Sequence, residues 1–312
     1  MQLPFDQSQL AAIIACDHAF ERLSASWRDG VDWRPTDRRD IRRIYEMYPM
    51  LFAPAFPNIS EDALRTLVVA CRLLSEALFA FDEVIDEALA SRERATGIAK
   101  GQSLQLDAIC TFAELFPPTS EFWPALHACF LAYVAAIQKE REIALADLDE
   151  ATAVELGRGK TAVARSCIAA MGIVGSRPDV AAVIADAVSE YYVARQMWDD
   201  LADWRKDLAS GQHSLLLARA IASLAPDSAR DAQSVGVAVY YGGHADHVLA
   251  IGSAALERAH ASIASLGVAL PFGRLLDDLA KQFRETRAGL TDLVERKRRA
   301  PGARPHALPA QP

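Results

Sequence analysis

Three carboxylates at regular spacing mark the segment from Tyr191 to Leu217. Asp199, Asp203 and Asp207 follow one another at intervals of four residues, and this spacing puts all three on one face of an α-helix. The segment is otherwise rich in apolar and aromatic residues, so we expect the helix to be largely packed against others. Like charges on a packed helix repel one another and need a compensating cation. The pattern therefore predicts a site for divalent metal ions.

A second acidic cluster ends the apolar segment from Thr66 to Ala90. Asp82 and Asp86 are four residues apart in the sequence DEVIDE, so they also project from one helical face. Their charges lie near the C-terminal end of the predicted helix, where they oppose its dipole. A lone Asp-x-x-x-Asp pair is usually a solvated acidic surface, but two such clusters on two apolar helices favour a metal site.

The ligand chemistry of these clusters predicts the metal and its partner. Carboxylate oxygens without Cys or His ligands favour Mg²⁺, with Mn²⁺ as the second choice. Mg²⁺ held by a few carboxylates completes its coordination with water and with the phosphate oxygens of a substrate. Two facing helices that carry such clusters predict a pocket for a diphosphate. Basic residues should line its mouth, and the candidates are Arg158, Lys160, Arg165 and Lys206.

The elements that carry these residues are predicted to be helices. Ala and Leu are abundant, and Pro and Gly cluster at a few points that indicate helix boundaries. The predicted helical segments are Ser60 to Ser91, Phe122 to Asp149, Pro178 to Ser210 and Gly243 to Leu266. The sequence therefore predicts an all-α fold with a single domain over residues 1–295. The remaining residues, 296–312, form a basic, Pro-rich tail that we expect to be disordered.

Composition argues against several classes of protein. Of the 312 residues, 51% are hydrophobic and 24% are charged, which is enough to bury a sizeable core and is inconsistent with wholesale disorder. Lys and Arg number 33 against 41 Asp and Glu, and the net charge of −8 argues against a nucleic-acid-binding protein. No apolar run reaches the roughly 18 residues of a transmembrane segment.

Cysteine usage and the N-terminus bear on the cellular compartment. The five cysteines are scattered and form no Cys-x-x-Cys pair, so they are typical of small buried residues in a reducing compartment. The first residues lack the basic region of a signal peptide. Together these features predict a cytoplasmic protein.

Three segments resemble motifs of one family, the class I isoprenoid synthases, which comprise terpene cyclases and trans-prenyl diphosphate synthases. DEVIDE at 82–87 resembles the Asp-rich first motif of that family. DDLADWRKDLASGQHSLL, from Asp199, is similar to the terpene cyclase pattern N/D-D-x-x-S/T-x-x-K-E and equally to the second DDxxDxxxD motif of the prenyl diphosphate synthases. GKTAVA at 159–164 looks like their Lys-Thr diphosphate-binding segment. The resemblance runs from about Tyr48 to Gly211.

The resemblance implies a fold and a set of roles. The fold would be an antiparallel helical bundle of the class I terpenoid synthase type. About three Mg²⁺ ions would be held by Asp82, Asp86, Asp199, Asp203 and Asp207 around the diphosphate. Lys160 and an arginine would stabilise the negative charge that develops as the C–O bond breaks. The aromatic residues Phe79, Phe81, Tyr192 and Trp198 could line the cavity that protects the allylic cation. The resemblance also allows a homodimer, because dimers are frequent in that family.

Departures from the family patterns help to choose a subclass. No Arg-Arg-Gly follows the first motif, and the N-terminal Gly-Lys-Arg segment of chain-elongating synthases has no evident counterpart. These differences favour a Mg²⁺-dependent terpene synthase that ionises an allylic diphosphate of about 15 to 20 carbons, by analogy with the family. Against it, Asp203 stands where a Ser or Thr is usual. The alternatives are a prenyltransferase that uses isopentenyl diphosphate or another acceptor, and a non-catalytic protein that binds isoprenoid diphosphates. Head-to-head coupling of the squalene or phytoene synthase type, which also uses two Asp-x-x-x-Asp motifs, is a minor alternative.

Overall fold

A computed structural model describes residues 48–86, 90–226 and 228–299, together with residues 14, 15, 17 and 18. Within these ranges the chain forms eleven α-helices and no strand, so the prediction of an all-α fold is confirmed. The helices are α1 (Tyr48–Phe52), α2 (Glu61–Asp86), α3 (Ser91–Ala113), α4 (Phe122–Glu142), α5 (Glu150–Lys160), α6 (Ala164–Val174), α7 (Pro178–Ser210), α8 (Leu215–Ala222), α9 (Ala232–Tyr241), α10 (His244–Ala264) and α11 (Phe272–Arg299). Short 3₁₀ turns occupy Ala53–Ala55 and Leu145–Asp147.

Side-chain caps set several helix ends. The hydroxyl of Ser60 accepts a hydrogen bond from the N–H of Ala63 at 3.3 Å, so α2 begins where the sequence predicts. The predicted helix from 122 to 149 is too long, because α4 ends at Glu142. Asp149 instead caps a new helix, and its Oδ1 accepts the N–H of Thr152 at 2.8 Å. A local capping preference therefore outweighs the continuous helical pattern at this point.

The helices pack into two compact units. The first unit comprises the described residues up to Cys129, with Val163–Ala185 and Ile263–Arg274. In this unit α3 runs antiparallel to α2, because Gly97 of α3 lies against Val84 of α2 and Gly101 lies against Phe81. Phe112, Phe116 and Phe122 form an aromatic cluster, with ring centroids 4.7 Å apart for Phe112 and Phe122 and 4.1 Å apart for Phe116 and Phe122.

The second unit comprises Phe130–Ala162, Asp186–Ser262 and the described residues from Leu275. Helix α5 approaches α7 at Gly157, where an added Cβ would lie 3.5 Å from the Cα of Val193. Trp204 of α7 is fully buried, and its indole N–H donates to the hydroxyl of Tyr240 at 2.9 Å. Helix α7 therefore packs against both α5 and α9. The prediction of one domain over residues 1–295 stays a prediction.

The C-terminal helix extends further than the sequence predicts. Helix α11 continues to Arg299, so the first four residues of the predicted disordered tail are helical. Arg296 pairs with Asp292 at 2.8 Å and Arg299 pairs with Glu295 at 2.9 Å, and such i, i+4 ion pairs support an exposed helix. Residues 300–312 lie outside the described part of the chain. No helix in the described ranges is both long enough and apolar enough to span a membrane.

Candidate functional site

The predicted carboxylate stripe lies on α7 in the second unit. Asp199 and Asp207 are partly buried and Asp203 between them is exposed, and the charge of Asp203 reaches both neighbours. Burial raises the pKa of the Asp207 carboxyl to about 6, and repulsion from Asp203 adds to this effect. Burial also raises the pKa of Asp199, although the nearby Arg195 opposes the shift. Holding the three groups ionised together therefore costs free energy that a bound cation would offset.

A fourth carboxylate on α7 points inward. Asp200 is only 3% exposed, and burial raises its pKa to about 7. Its Oδ1 accepts a hydrogen bond from the side-chain N–H of Gln196 at 2.6 Å, and its carboxylate also accepts the backbone N–H of Leu215, the first residue of α8. Asp200 is not among the site residues that the sequence predicts, although it directly follows Asp199. The Asp-Asp doublet was the available signal, since adjacent helical residues point about 100° apart.

The turn between α7 and α8 is short and well anchored. Gly211 has a φ of +73°, a conformation that favours glycine. The N–H of Gln212 donates to the backbone carbonyl of Asp207 at 2.9 Å. A ring nitrogen of His213 lies 3.0 Å from the backbone carbonyl oxygen of Ile143. The turn therefore ties the end of the stripe both to α8 and to the segment that follows α4.

Lys160 is the predicted basic residue whose charge reaches several carboxylates of α7. It ends α5, and its charge acts on Asp199, Asp200 and Asp207. Its ammonium group also lies 2.7 Å from Oε1 of Glu140 on α4. The second unit therefore carries three of the five predicted metal ligands on α7, and the charge of a lysine suited to a phosphate group reaches two of them.

Arg158 is held elsewhere. Its guanidinium donates to the buried carboxylate of Glu190, which also accepts two hydrogen bonds from Arg258 of α10, at 2.9 Å and 2.7 Å. Glu190 precedes Asp199 by nine residues, which is about two and a half helical turns. The two carboxylates therefore point to opposite sides of α7, and Arg158 is oriented away from the stripe.

The other two predicted basic residues differ in their surroundings. Lys206 is exposed on α7, and its charge opposes the raised pKa of the neighbouring Asp207. Arg165 lies on α6 in the first unit, where its buried Nε has no hydrogen-bond partner among the described residues. A buried guanidinium nitrogen without a partner is uncommon and is suited to an anionic ligand.

The first acidic cluster lies in the first unit. Asp82 is partly buried near the end of α2. Asp86 is the last residue of that helix, and its side chain lies outside the described part of the structure. Among the described side chains, no three His, Cys, Asp or Glu groups converge closely enough to hold one metal ion. The convergence of the two clusters on shared metal ions stays a prediction.

The four aromatic residues predicted to line a cavity belong to both units. Phe79 and Phe81 are partly buried on α2, and the ring of Phe81 packs against Gly101 of α3. Tyr192 is 3% exposed. The ring of Trp198 lies 5.5 Å from that of Phe283. These are the contacts of packed core residues, and their role in a cavity stays a prediction.

Known proteins match this chain in structure. No family model and no curated protein sequence matches it. A decaprenyl diphosphate synthase from Rhodobacter capsulatus is 14% identical and superposes with a TM-score of 0.67 over 89% of this chain and 96% of its own. A polyprenyl synthase from Roseobacter denitrificans is 16% identical with a TM-score of 0.66, over 89% of this chain and 98% of its own. This chain has the fold of the prenyl diphosphate synthases.

A third structure with this prenyl synthase fold contains ligands. The polyprenyl synthase from Caulobacter crescentus, complexed with calcium and isoprenyl diphosphate, is 17% identical with a TM-score of 0.63. It covers 84% of this chain and 95% of its own. At these identities the likeness establishes the fold.

The donors on α7 fit a hard divalent cation. They are carboxylate oxygens alone, which Mg²⁺ prefers. Two of the three carboxylates have raised pKa values through burial and mutual repulsion, and a cation among them would remove that repulsion. In donor type the stripe therefore suits the metal that the prenyl synthase resemblance implies.

Proposed function

We propose that the protein is a prenyltransferase that ionises an allylic prenyl diphosphate and joins the prenyl group to isopentenyl diphosphate or another acceptor. The observation that carries this proposal is the carboxylate stripe of α7 with Lys160 beside it. Prenyl transfer is supported over cyclisation because the structural neighbours with this fold are prenyl or polyprenyl diphosphate synthases.

Mg²⁺ would be held by Asp199, Asp203 and Asp207, with Asp82 and Asp86 of α2 as the remaining ligands. When bound, the metal would neutralise the diphosphate and make it a better leaving group. The raised pKa values of Asp199 and Asp207 mean that metal ions and protons compete for these two carboxylates.

The chain's own cations would bind and orient the diphosphate. Lys160 can donate to its oxygens, and its charge would stabilise the leaving group as the C–O bond breaks. Arg165 has an unused buried donor for the same purpose, and Lys206 lies one residue before the last aspartate of the stripe. Phe79, Phe81, Tyr192 and Trp198 would exclude water from the allylic cation. Arg158 is a weaker candidate, since Glu190 already holds it.

A terpene synthase is the second candidate. It is favoured by the sequence, because the Arg-Arg-Gly and Gly-Lys-Arg segments of chain-elongating enzymes are missing. Such an enzyme would use the same metal and diphosphate residues but would release a hydrocarbon or alcohol from one substrate. A non-catalytic protein that binds isoprenoid diphosphates is the third candidate. The homodimer and the cytoplasmic location implied by the sequence are also proposals.

A product screen tests these candidates. The purified protein would be incubated with Mg²⁺ and with geranyl, farnesyl or geranylgeranyl diphosphate, each with and without isopentenyl diphosphate, and the extracts analysed by gas chromatography–mass spectrometry. We expect longer prenyl diphosphates, detected after phosphatase treatment, only when isopentenyl diphosphate is present. Hydrocarbons from a single substrate would establish the terpene synthase instead. Binding without release of diphosphate would leave the non-catalytic role.

A further inference from the structure

Two ion pairs join α4 to α5 in the second unit. Lys139 of α4 lies 2.6 Å from Oε2 of Glu155 on α5. One residue along α4, Glu140 lies 2.7 Å from the ammonium of Lys160 on α5. The two pairs have opposite polarity, because α4 supplies the cation in one and the anion in the other.

The two pairs differ in their surroundings. Glu155 is 66% exposed in its side chain, whereas Glu140 and Lys160 are 30% and 28% exposed. Lys160 is also the member whose charge acts on the α7 carboxylates, while the charge of Lys139 acts on Asp149, the N-cap of α5. The pair of Glu140 and Lys160 therefore lies at the candidate site. The pair of Lys139 and Glu155, which joins the same two helices, provides a control for it.

We propose that Glu140 is a counter-ion that occupies Lys160 in the ligand-free protein and limits the affinity of the site for a diphosphate. The inference rests on the proposed function, in which Lys160 binds the diphosphate. An arriving diphosphate must take over the ammonium from Glu140, and the carboxylate that it displaces stays close enough to repel it. Because both groups are about seven-tenths buried, solvent screens this repulsion less than it would at an open surface.

Binding of inorganic pyrophosphate, measured by calorimetry on the full chain at a fixed excess of Mg²⁺, tests this role. Glu140→Gln keeps the size of the side chain and an oxygen that can accept from Lys160, but it removes the charge. We expect Glu140→Gln to bind pyrophosphate about three- to tenfold more tightly than the wild type, as expected for a like charge removed at short range. The gain should shrink as salt is added.

Two further variants separate charge from structure. Glu155→Gln breaks the neighbouring pair between the same two helices and should leave the affinity unchanged. Glu140→Asp keeps the charge and should bind nearly as weakly as the wild type. A Glu140→Gln affinity that equals or falls below that of the wild type would overturn the inference, since Glu140 would then be neutral or would position Lys160 for the ligand.

Lys160→Met distinguishes failure of the inference from failure of the proposed function. Weaker binding by Lys160→Met, together with no gain from Glu140→Gln, overturns the counter-ion role alone. Unchanged binding by Lys160→Met removes the lysine from the diphosphate site and overturns both statements. A wild-type protein that does not bind pyrophosphate at all has the same consequence.

Discussion

At the residue scale, the exposed position of Asp203 makes it the best single test of the proposed metal site. We expect Asp203→Ala to lower turnover by about two orders of magnitude or more, because in the proposed site it would remove the middle ligand of the α7 stripe. The free energy of unfolding of this variant should differ from that of the wild type by less than about 0.5 kcal/mol, since the Asp203 side chain is exposed. Steady-state kinetics over a range of Mg²⁺ concentrations and circular dichroism would measure the two effects.

The matched control for Asp203 is Asp186. It is exposed on the same helix but lies outside the stripe, so Asp186→Ala should behave as the wild type in both measurements. Equal turnover by the Asp203 and Asp186 variants would remove Asp203 from the set of metal ligands.

His244 gives the free energy of unfolding a dependence on pH. Burial lowers its pKa, and the charges of Arg219 and His247 lower it further. The unfolded chain therefore takes up a proton before the folded chain does, so this contribution to stability is complete above pH about 6.5 and is lost as the pH falls. His244→Gln should reduce the loss of stability between about pH 7.5 and 5.5 by a fraction of a kcal/mol. Urea unfolding at both pH values measures the free energy of unfolding of each protein. An equal loss of this free energy in the variant and the wild type would contradict the prediction.

At the element scale, Glu190 acts as a clamp between three helices of the second unit. It lies on α7 and accepts from Arg158 of α5 and Arg258 of α10. We expect Glu190→Gln to lower the free energy of unfolding by about 1.5–3 kcal/mol, because hydrogen bonds to a charged group are the stronger kind. Glu257→Gln, on an exposed position of α10, should change it by less than about 0.5 kcal/mol. Coincident urea midpoints for the two variants would show that the clamp is not needed.

The helices also show which features of the fold and of the candidate site could be predicted from the sequence. The bounds of α7, Pro178–Ser210, are those that the sequence predicts, since a first-turn proline and a following glycine are local signals. The α7 stripe was predictable for the same reason, because its spacing lies within one helix. The pairing of Arg158 with Glu190 could not be predicted from the sequence. These residues are 32 positions apart, and their contact depends on how α5 crosses α7. Asp200 was visible in the sequence, but its burial depends on the packing of α8.

At the scale of the whole molecule, helix α3 offers a candidate surface for the homodimer that the resemblance allows. Ile98, Leu106 and Ile109 are 40%, 60% and 39% exposed. The exposed residues of α3 from Ile98 to Ala113 include no Asp, Glu, Lys or Arg, although such residues make up 24% of the chain. A helix face without charge suits a second copy of itself, because no like charges meet across a two-fold axis.

Sedimentation velocity tests the dimer. We expect the wild type to sediment as a dimer and Leu106→Glu to shift it to the monomer, because the substitution would bury two like charges across the axis. Leu293→Glu, at a leucine that is 40% exposed on α11, is the matched control and should stay dimeric. A monomeric wild type would remove the homodimer from the proposal.

The contacts of the turn at residues 211–213 limit the insertion of extra residues between α7 and α8. Exposed turns usually accept insertions, which makes them the common choice for tags and loop grafts. Here the N–H of Gln212 in the turn donates to the backbone carbonyl of Asp207. Just after the turn, the N–H of Leu215 donates to the buried carboxylate of Asp200. One added residue would shift α8 along the chain and leave a buried carboxylate without its backbone donor. Insertions at this turn should therefore be tolerated less well than its exposure suggests.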